Sequence, residues 1–208
     1  MIKRFPERRR ERFCTDEELG RLGVVLIEVE RERSEHPSAV NAIRLLALTG
    51  CRMGEIISLR WNDVDADAHQ LVIRDAKAGG RRQTVGNETI GFLAGLDRYE
   101  SSQWVLPHTD PSKHIPDYTL EKAWRRIRNK AALEDVRLHD LRHTVGTYAG
   151  QTGANAFLIR DKLGHASTAM TGQYVNHAHA PVRQLSDKVE GRVVAALQRR
   201  TVSEGEAQ

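Results

Sequence analysis

The sequence predicts a mainly α-helical α+β fold with one small antiparallel β-flap. Most of the chain carries apolar residues at helical spacing, bounded by capping residues and glycine stops. One segment, residues 70–86, instead has short β-prone runs on either side of a Gly-Gly turn. The 208 residues suffice for one domain with a substantial core, and 39% hydrophobic with 29% charged residues is typical of a globular, water-soluble chain.

The N-terminal part predicts an arm followed by three helices. Residues 1–12 are rich in basic residues and poor in apolar ones, so we expect a linker or arm there. A helix begins at Thr15, which forms a capping box with Glu18 ahead of apolar residues at helical spacing. Two further helices are expected at about 38–49 and about 53–59.

The β-flap and the later helices follow from the change in spacing. Its two β-prone runs are Leu71–Arg74 and Gln83–Val85, and residues 104–107 form another short extended stretch. Helices are expected at about 88–98, 117–131, 139–151, 155–163, 167–175 and 182–198, and residues 199–208 form a polar tail.

Charge and composition exclude some classes of protein and favour others. No stretch approaches the roughly 20 apolar residues of a membrane span, and the charged N-terminus is unlike a signal peptide, so we expect a cytoplasmic protein without membrane contact. Two cysteines without paired spacing indicate free thiols in a reducing compartment. The net charge of +4 is a weak indication of an anionic partner, since many proteins are basic.

One predicted helix has the charge pattern of a nucleic-acid reader. In the helix at 117–131 an apolar stripe faces one side, and Lys122, Arg125 and Arg126 lie on the other. A basic outer face of this kind fits DNA. An ordinary solvated helix face explains the same pattern, and from charge alone that simpler interpretation is favoured.

The segment LHDLRHT, residues 138–144, admits three interpretations. His139 and His143 have the spacing of a zinc-binding pair, but Arg142 between them would repel a dication. Asp140 could cap the helix while His143 packs structurally. Alternatively His139 and Arg142, on one helical face, could bind a phosphate, for which arginine offers a two-pronged donor and histidine a proton carrier.

Other segments favour the phosphate. LGHAS places His165 after a glycine stop, Tyr174 follows nine residues later in TGQYVNH, and Arg52 lies just past Gly50 in LTGCRMGEIISLRW. Each alone has an ordinary explanation. Tyr174 could pack, Arg52 could pair with Glu55, and Lys77 could be a surface lysine in a glycine-rich turn.

Together, TGCRMGEIISLRW, a hairpin lysine, RLHDLRHT, LGH and a tyrosine nine residues on resemble the tyrosine recombinases, or phage integrases. The resemblance spans about Phe13 to Leu197. It implies the catalytic-domain fold of that family over residues 13–198. It also implies these catalytic residues: Arg52, Lys77, His139, Arg142, His165 and Tyr174. Glu55 would support the first arginine, and Asp140 the first histidine.

The resemblance implies cleavage and rejoining of double-stranded DNA through a 3′-phosphotyrosyl intermediate, without metal or cofactor. Arg52 and Arg142 would stabilise the negative charge that the phosphate gains in the transition state, and His165 would hydrogen-bond a non-bridging oxygen. Tyr174 would attack, with His139 accepting its proton and Lys77 protonating the leaving 5′ oxygen. Such proteins would be monomers in isolation and homotetramers on DNA. His143, His177 and His179 are expected to be structural or solvated.

Two departures from the family pattern keep alternatives open. Arg81 and Arg82 compete with Lys77 in the hairpin, and the usual N-terminal DNA-binding domain of the family is not in this sequence. The main alternative is a DNA-binding regulator or remnant of the same fold without strand exchange. A zinc hydrolase using His139 and His143 and a relaxing enzyme of the topoisomerase IB type are further alternatives.

Overall fold

The computed structural model describes residues 12–74, 80–165, 167–174, 186–187 and 189–194. Between residues 12 and 174 these form the mainly helical α+β fold predicted from the sequence. The α-helices are α1 (Asp16–Arg31), α2 (Pro37–Thr49), α3 (Met53–Ile57), α4 (Asn87–Ala94), α5 (Asp117–Lys130), α6 (Asp140–Gln151) and α7 (Ala156–Leu163). The strands are β1 (Val64–Asp65), β2 (Gln70–Ile73) and β3 (Arg81–Thr84).

Local sequence signals fix where the first two helices begin and end. The predicted capping box of α1 is present: the Thr15 hydroxyl accepts from the Glu18 amide at 3.3 Å, and the Glu18 carboxylate accepts from the Thr15 amide at 3.0 Å. Helix α2 stops at Gly50, whose φ of 67° lies in the left-handed region that glycine tolerates. Helix α2 therefore ends two residues before Arg52.

Helix α2 is the centre of the packing and contacts α1, α3, α4, α5 and α6. Its residues Ile43 and Leu45 are completely buried. The apolar stripe predicted for the helix at 117–131 is buried as expected, since Leu120 and Ile127 of α5 are at most 1% exposed. Burying these side chains is the main stabilising contribution to the fold.

The small sheet has the strand order β1-β2-β3, with both pairs antiparallel. The short strand β1 was not predicted, and β3 begins two residues earlier than the predicted run Gln83–Val85. Along β3 the side chains alternate: Gln83 is buried and Arg81 half-buried, whereas Arg82 and Thr84 are exposed. This register directs Arg81 towards the interior.

Two of the later predicted helices differ from the structure. Instead of a continuous helix at 167–175, the described residues form 3-10 turns at Thr168–Met170 and Gly172–Tyr174, so that prediction is wrong. The helix predicted at 88–98 ends early, at Ala94. Of the helix predicted at 182–198, residues 186–187 and 189–194 are helical, and the remainder lies outside the described residues.

Candidate active site

Arg52 lies at the start of α3, tied to Glu55. The Arg52 amide donates to Glu55 Oε2 at 2.8 Å and its Nη1 donates to Oε1 at 2.8 Å. Burial alone would raise the pKa of Glu55, but the amide of Arg52 and the charge of Arg81 outweigh it and hold that pKa below its usual value. Glu55 is therefore a buried carboxylate anion that fixes the Arg52 guanidinium.

Arg142, on α6, is held by the end of α2. Its side chain is only 4% exposed, and Nη1 donates to the carbonyl of Gly50 at 2.7 Å. Its Nη2 is buried and has no hydrogen-bond partner among the described residues. Burial and then the nearby charge of Arg52 lower the pKa of Arg142 to about 10, so it remains a cation at neutral pH. Buried donors in folded proteins usually have a partner, so this donor is available to an acceptor that enters the site.

His139 lies at the N-terminal end of α6. The buried Asp140 accepts from the Arg137 amide at 2.8 Å, which fixes the turn that presents His139. Burial, followed by the charges of His143 and Arg142, lowers the pKa of His139. Asp140 therefore supports this histidine through the backbone, as a cap of the turn before the helix.

His165 lies just after α7, which ends at Gly164 in the left-handed conformation. Its Nδ1 is buried and lacks a hydrogen-bond partner among the described residues. Burial, followed by the charges of Arg142 and Arg52, lowers the pKa of His165 to about 4. The cationic groups of this site therefore repel one another, and an anion among them would relieve that repulsion.

The lowered pKa of His165 predicts a loss of stability in mild acid. The folded protein keeps this ring neutral down to about pH 4, whereas the ring in the unfolded chain takes up a proton below its ordinary pKa of 6.5. Because the unfolded state binds more protons in this interval, the free energy of unfolding should fall as the pH falls through it. Urea unfolding on both sides of the interval should show a smaller fall for His165→Gln than for the wild type. An equal fall in both proteins would contradict this assignment.

Tyr174 is 8% exposed and lies between two histidines. Its hydroxyl oxygen is 2.6 Å from His143 Nδ1, and its ring stacks on that of His165 with centroids 6.3 Å apart. The rings of His139 and His143 meet edge to face at 5.0 Å between centroids. His143, expected to be structural or solvated, therefore contacts the predicted nucleophile.

Glycines on α6 create the space that Tyr174 occupies. A Cβ atom at Gly146 would lie 2.7–2.9 Å from three atoms of the Tyr174 ring, and one at Gly150 would overlap its carbonyl oxygen. His139, His143, Gly146 and Gly150 lie along one stripe of the helix at spacings of four, three and four residues. This stripe is where Tyr174 docks.

Lys77 lies outside the described residues, so its predicted role stays a prediction. Arg81 on β3, four residues later in the sequence, donates from Nη2 to Glu55 Oε2 at 2.8 Å and packs where a Cβ atom on Gly164 would lie. Arg82, the other competitor, is exposed and bonds Gln70. Arg81 therefore belongs to the site, and it shares the Glu55 carboxylate with Arg52.

The basic face of α5 is partly neutralised. Arg126 forms two contacts with the Glu35 carboxylate, at 2.5 and 2.6 Å, and the Lys122 ammonium lies 5.4 Å from the centre of the Tyr118 ring. Arg125 is exposed. A DNA contact by Lys122, Arg125 and Arg126 stays a prediction.

A pocket of about 790 Å³ lies away from the predicted catalytic residues, beside the N-terminal half of α2. Its lining includes His36, Arg44, Tyr99 and His108, and none of the predicted catalytic residues. Concave apolar hollows are the usual place for small-molecule ligands. The predicted site instead lies where α2, α3, α6 and α7 meet.

Solved structures of the same fold are tyrosine recombinases and integrases. The crystal structure of XerA recombinase superposes with a TM-score of 0.63 at 24% identity, covering 85% of this chain and 62% of that one. A Tn1549 transposon integrase, solved in complex with a circular intermediate DNA, gives a TM-score of 0.70 at 15% identity, covering 88% and 67%. The chain thus has the fold of the tyrosine recombinase catalytic domain.

Sequence comparison assigns the family. The family model of the phage integrases matches residues 24–180, which is most of the chain, so the protein belongs to the phage integrase family. The integrase of Salmonella phage P22 is 26% identical over 174 residues, covering 76% of this chain and 44% of its own length. Tyrosine recombinase XerA of Thermococcus kodakarensis is 26% identical over 175 residues, covering 78% and 61%. The chain therefore spans about half the length of these relatives.

Three residues of the site were not assigned to it from the sequence. Arg81 was considered only as a substitute for Lys77, although the alternation along β3 could have placed it beside Gln83 on the inner face. His143 and Gly146 share a face of α6, and their helical spacing was the available signal. Their contact with Tyr174 joins segments about thirty residues apart, which local patterns do not reveal.

Proposed function

We propose that the chain is the catalytic part of a site-specific tyrosine recombinase that cleaves and rejoins double-stranded DNA through Tyr174. The observation that carries the proposal is the buried Nη2 of Arg142, which lacks a partner among the described residues and belongs to the same site as Arg52, His165 and the Tyr174 hydroxyl. A phosphodiester supplies an anion for such a site. Its transition state carries more negative charge, which fixed guanidinium groups stabilise.

Each residue has a role that fits its surroundings. Arg52 and Arg142 would bind the non-bridging oxygens of the scissile phosphate, the first held by Glu55 and the second by the Gly50 carbonyl. His165 would contribute a further hydrogen bond to these oxygens. Tyr174 would attack the phosphorus, and Lys77 would protonate the leaving 5′ oxygen. The expectation that His139 accepts the tyrosine proton stays a prediction, and the contact of His143 gives it a competitor.

The product would be a 3′-phosphotyrosyl protein and a free 5′ hydroxyl. The energy of the phosphodiester is kept in the new bond, so a second 5′ hydroxyl can reverse the step without a cofactor. The partner would be double-stranded DNA, and exchange between two duplexes would use a homotetramer assembled from monomers. A DNA complex of a structural neighbour, the Tn1549 integrase, supports DNA as the partner.

A trapping experiment tests the proposal. The protein is incubated with a pool of nicked duplexes of random sequence, in which cleavage beside the nick releases a short fragment and leaves the protein attached. Covalent complexes are captured under denaturing conditions, the DNA is sequenced, and the linked peptide is identified by mass spectrometry. We expect enriched duplexes and a nucleotide attached to the peptide that contains Tyr174.

Other outcomes would identify the alternatives. Retarded DNA without any covalent complex would overturn the proposal in favour of a DNA-binding regulator. Covalent complexes without any enriched sequence, together with relaxation of supercoiled plasmid, would indicate a relaxing enzyme that shares the chemistry but not the site preference.

A further inference from the structure

The hydroxyl of Tyr174 already has a histidine in hydrogen-bond contact. Its oxygen lies 2.6 Å from Nδ1 of His143, one turn further along α6 than His139. When the neutral imidazole of His143 carries its proton on Nε2, Nδ1 is an acceptor, and in that tautomer the hydroxyl donates to it. A tyrosine that donates to a nitrogen base has the arrangement expected of an activated nucleophile.

The backbone of α6 is shaped to bring the ring to this histidine. Atoms Cζ, Cε1 and Cε2 of Tyr174 lie within 2.9 Å of the position that a Cβ atom at Gly146 would take. Real Cβ atoms do not approach other atoms so closely, so the ring reaches this depth only because residue 146 is glycine. The ring and the hydroxyl move together, and the contact with His143 therefore depends on Gly146.

His139, the residue expected to receive the proton, has a different place. Its ring meets the edge of the His143 ring, and its position is fixed by the Asp140 turn at the start of α6. His139 lies on the same stripe of α6 as His143, but one turn further from Gly146, against which the Tyr174 ring packs. Along this stripe, His143 thus lies between His139 and Gly146.

We propose that His143 accepts the hydroxyl proton of Tyr174 during strand cleavage and that Gly146 is the positioning residue that seats the ring against it. This proposal rests on the function proposed above and names a further catalytic residue for the same reaction. The sequence motif pointed to His139, but the hydrogen-bond contact with the Tyr174 hydroxyl is made by His143.

The step is balanced in protons and electrons. The O–H bond of Tyr174 breaks, the bond from its oxygen to phosphorus forms, and the bond from phosphorus to the 5′ oxygen breaks. The proton of the hydroxyl passes to Nδ1 of His143, and the leaving 5′ oxygen takes a proton from the general acid, the role proposed for Lys77. Rejoining reverses both transfers, so no co-reactant is needed.

The first test compares two matched variants, His143→Gln and His139→Gln, on a duplex enriched in the trapping experiment. Glutamine keeps hydrogen-bonding capacity but cannot take up the proton. We expect His143→Gln to lower the single-turnover rate of adduct formation on the order of 100-fold or more, the usual contribution of one proton transfer. DNA affinity, measured by mobility shift, should remain close to that of the wild type.

A second readout separates proton transfer from mere support of the ring. With 3,5-difluorotyrosine incorporated at position 174, the phenol ionises more easily and depends less on a base. This substitution should restore part of the rate lost in His143→Gln and little of any rate lost in His139→Gln. If it rescues only His139→Gln, or if His143→Gln cleaves at the wild-type rate, the proposal is wrong.

The Gly146→Ala variant tests whether the missing side chain at residue 146 provides the space for the Tyr174 ring. Its methyl group would occupy the space of the Tyr174 ring, so we expect slower adduct formation with DNA binding retained. Gly23→Ala is the matched control, because Gly23 is also helical but has no atom within 4 Å of the added Cβ, and it should leave the rate unchanged. Equal rates of adduct formation for Gly146→Ala and the wild type would show that Gly146 does not position the Tyr174 ring for the reaction.

The outcomes for the inference and for the proposed function are distinguishable. If the wild-type protein forms no adduct on any duplex, the proposed function fails, and the inference fails with it. If the wild type forms an adduct and the His143→Gln and Gly146→Ala variants form it equally fast, the function stands and only the inference fails.

Discussion

Replacing Tyr174 with phenylalanine is expected to abolish covalent attachment to DNA while leaving the fold intact. The substitution removes the oxygen that would form the bond to phosphorus. The ring itself remains the same size, so it should still dock against Gly146 and stack on His165. The change in the free energy of unfolding should be about 1 kcal/mol, the usual contribution of one hydrogen bond.

Adduct formation on nicked DNA, followed by denaturing electrophoresis, measures the effect. The matched control is Tyr148→Phe on α6, which removes the hydroxyl contact of Tyr148 with Asp16 on α1. This control loses a comparable hydrogen bond but lies outside the candidate site, so it should retain adduct formation. Attachment that persists in Tyr174→Phe would assign the nucleophile to another residue and refute the role given to Tyr174.

The fold was predictable where the signals are local. The capping box at Thr15 and Glu18 and the glycine stop at Gly50 each act within a few residues, and both are present as predicted. The apolar stripe of α5 was predictable because one helix face determines burial wherever a core is available. Element boundaries with such signals therefore agree with the prediction to within a residue or two.

The differences occur where tertiary contacts override local preference. Strand β3 begins with two arginines, which have no particular preference for strands, yet Arg81 is drawn into the sheet because Glu55 lies beneath it. The turns at residues 168–174 replace the predicted helix, and Gly172, a poor helix former, lies at the start of the second turn. In that arrangement Tyr174 reaches the stripe on α6.

The site shows the same division between local and long-range information. The types and order of its residues could be recognised from the motif, which accounts for Arg52, His139, Arg142, His165 and Tyr174 as candidates. Glu55 was recognised as the partner of Arg52, three residues away. Partners from distant segments could not be recognised: the Gly50 carbonyl for Arg142 and His143 for Tyr174. The motif thus identified the reactive groups, and the structure was needed to identify the distant groups that hold them.

Replacing Arg142 is expected to have the second large effect. Arg142→Met should lower the single-turnover rate of adduct formation on the order of 100- to 1000-fold, the usual cost of losing one well-placed donor to a developing anion. Arg142→Lys should recover little of this loss. A guanidinium can donate from Nη1 to Gly50 and from Nη2 to a phosphate at once, whereas an ammonium lacks this flat, two-pronged geometry.

Stability should respond in the opposite direction, which distinguishes a catalytic role from a structural one. Arg142 is a buried cation whose charge is disfavoured by burial and by the nearby Arg52, so replacing it with methionine of similar length removes an unfavourable charge. The cost is the unmatched carbonyl of Gly50. We therefore expect urea unfolding of Arg142→Met to show a free energy of unfolding equal to or above that of the wild type. A rate close to wild type in Arg142→Lys, or a parallel loss of rate and stability in Arg142→Met, would mean that this arginine serves the fold rather than the phosphate.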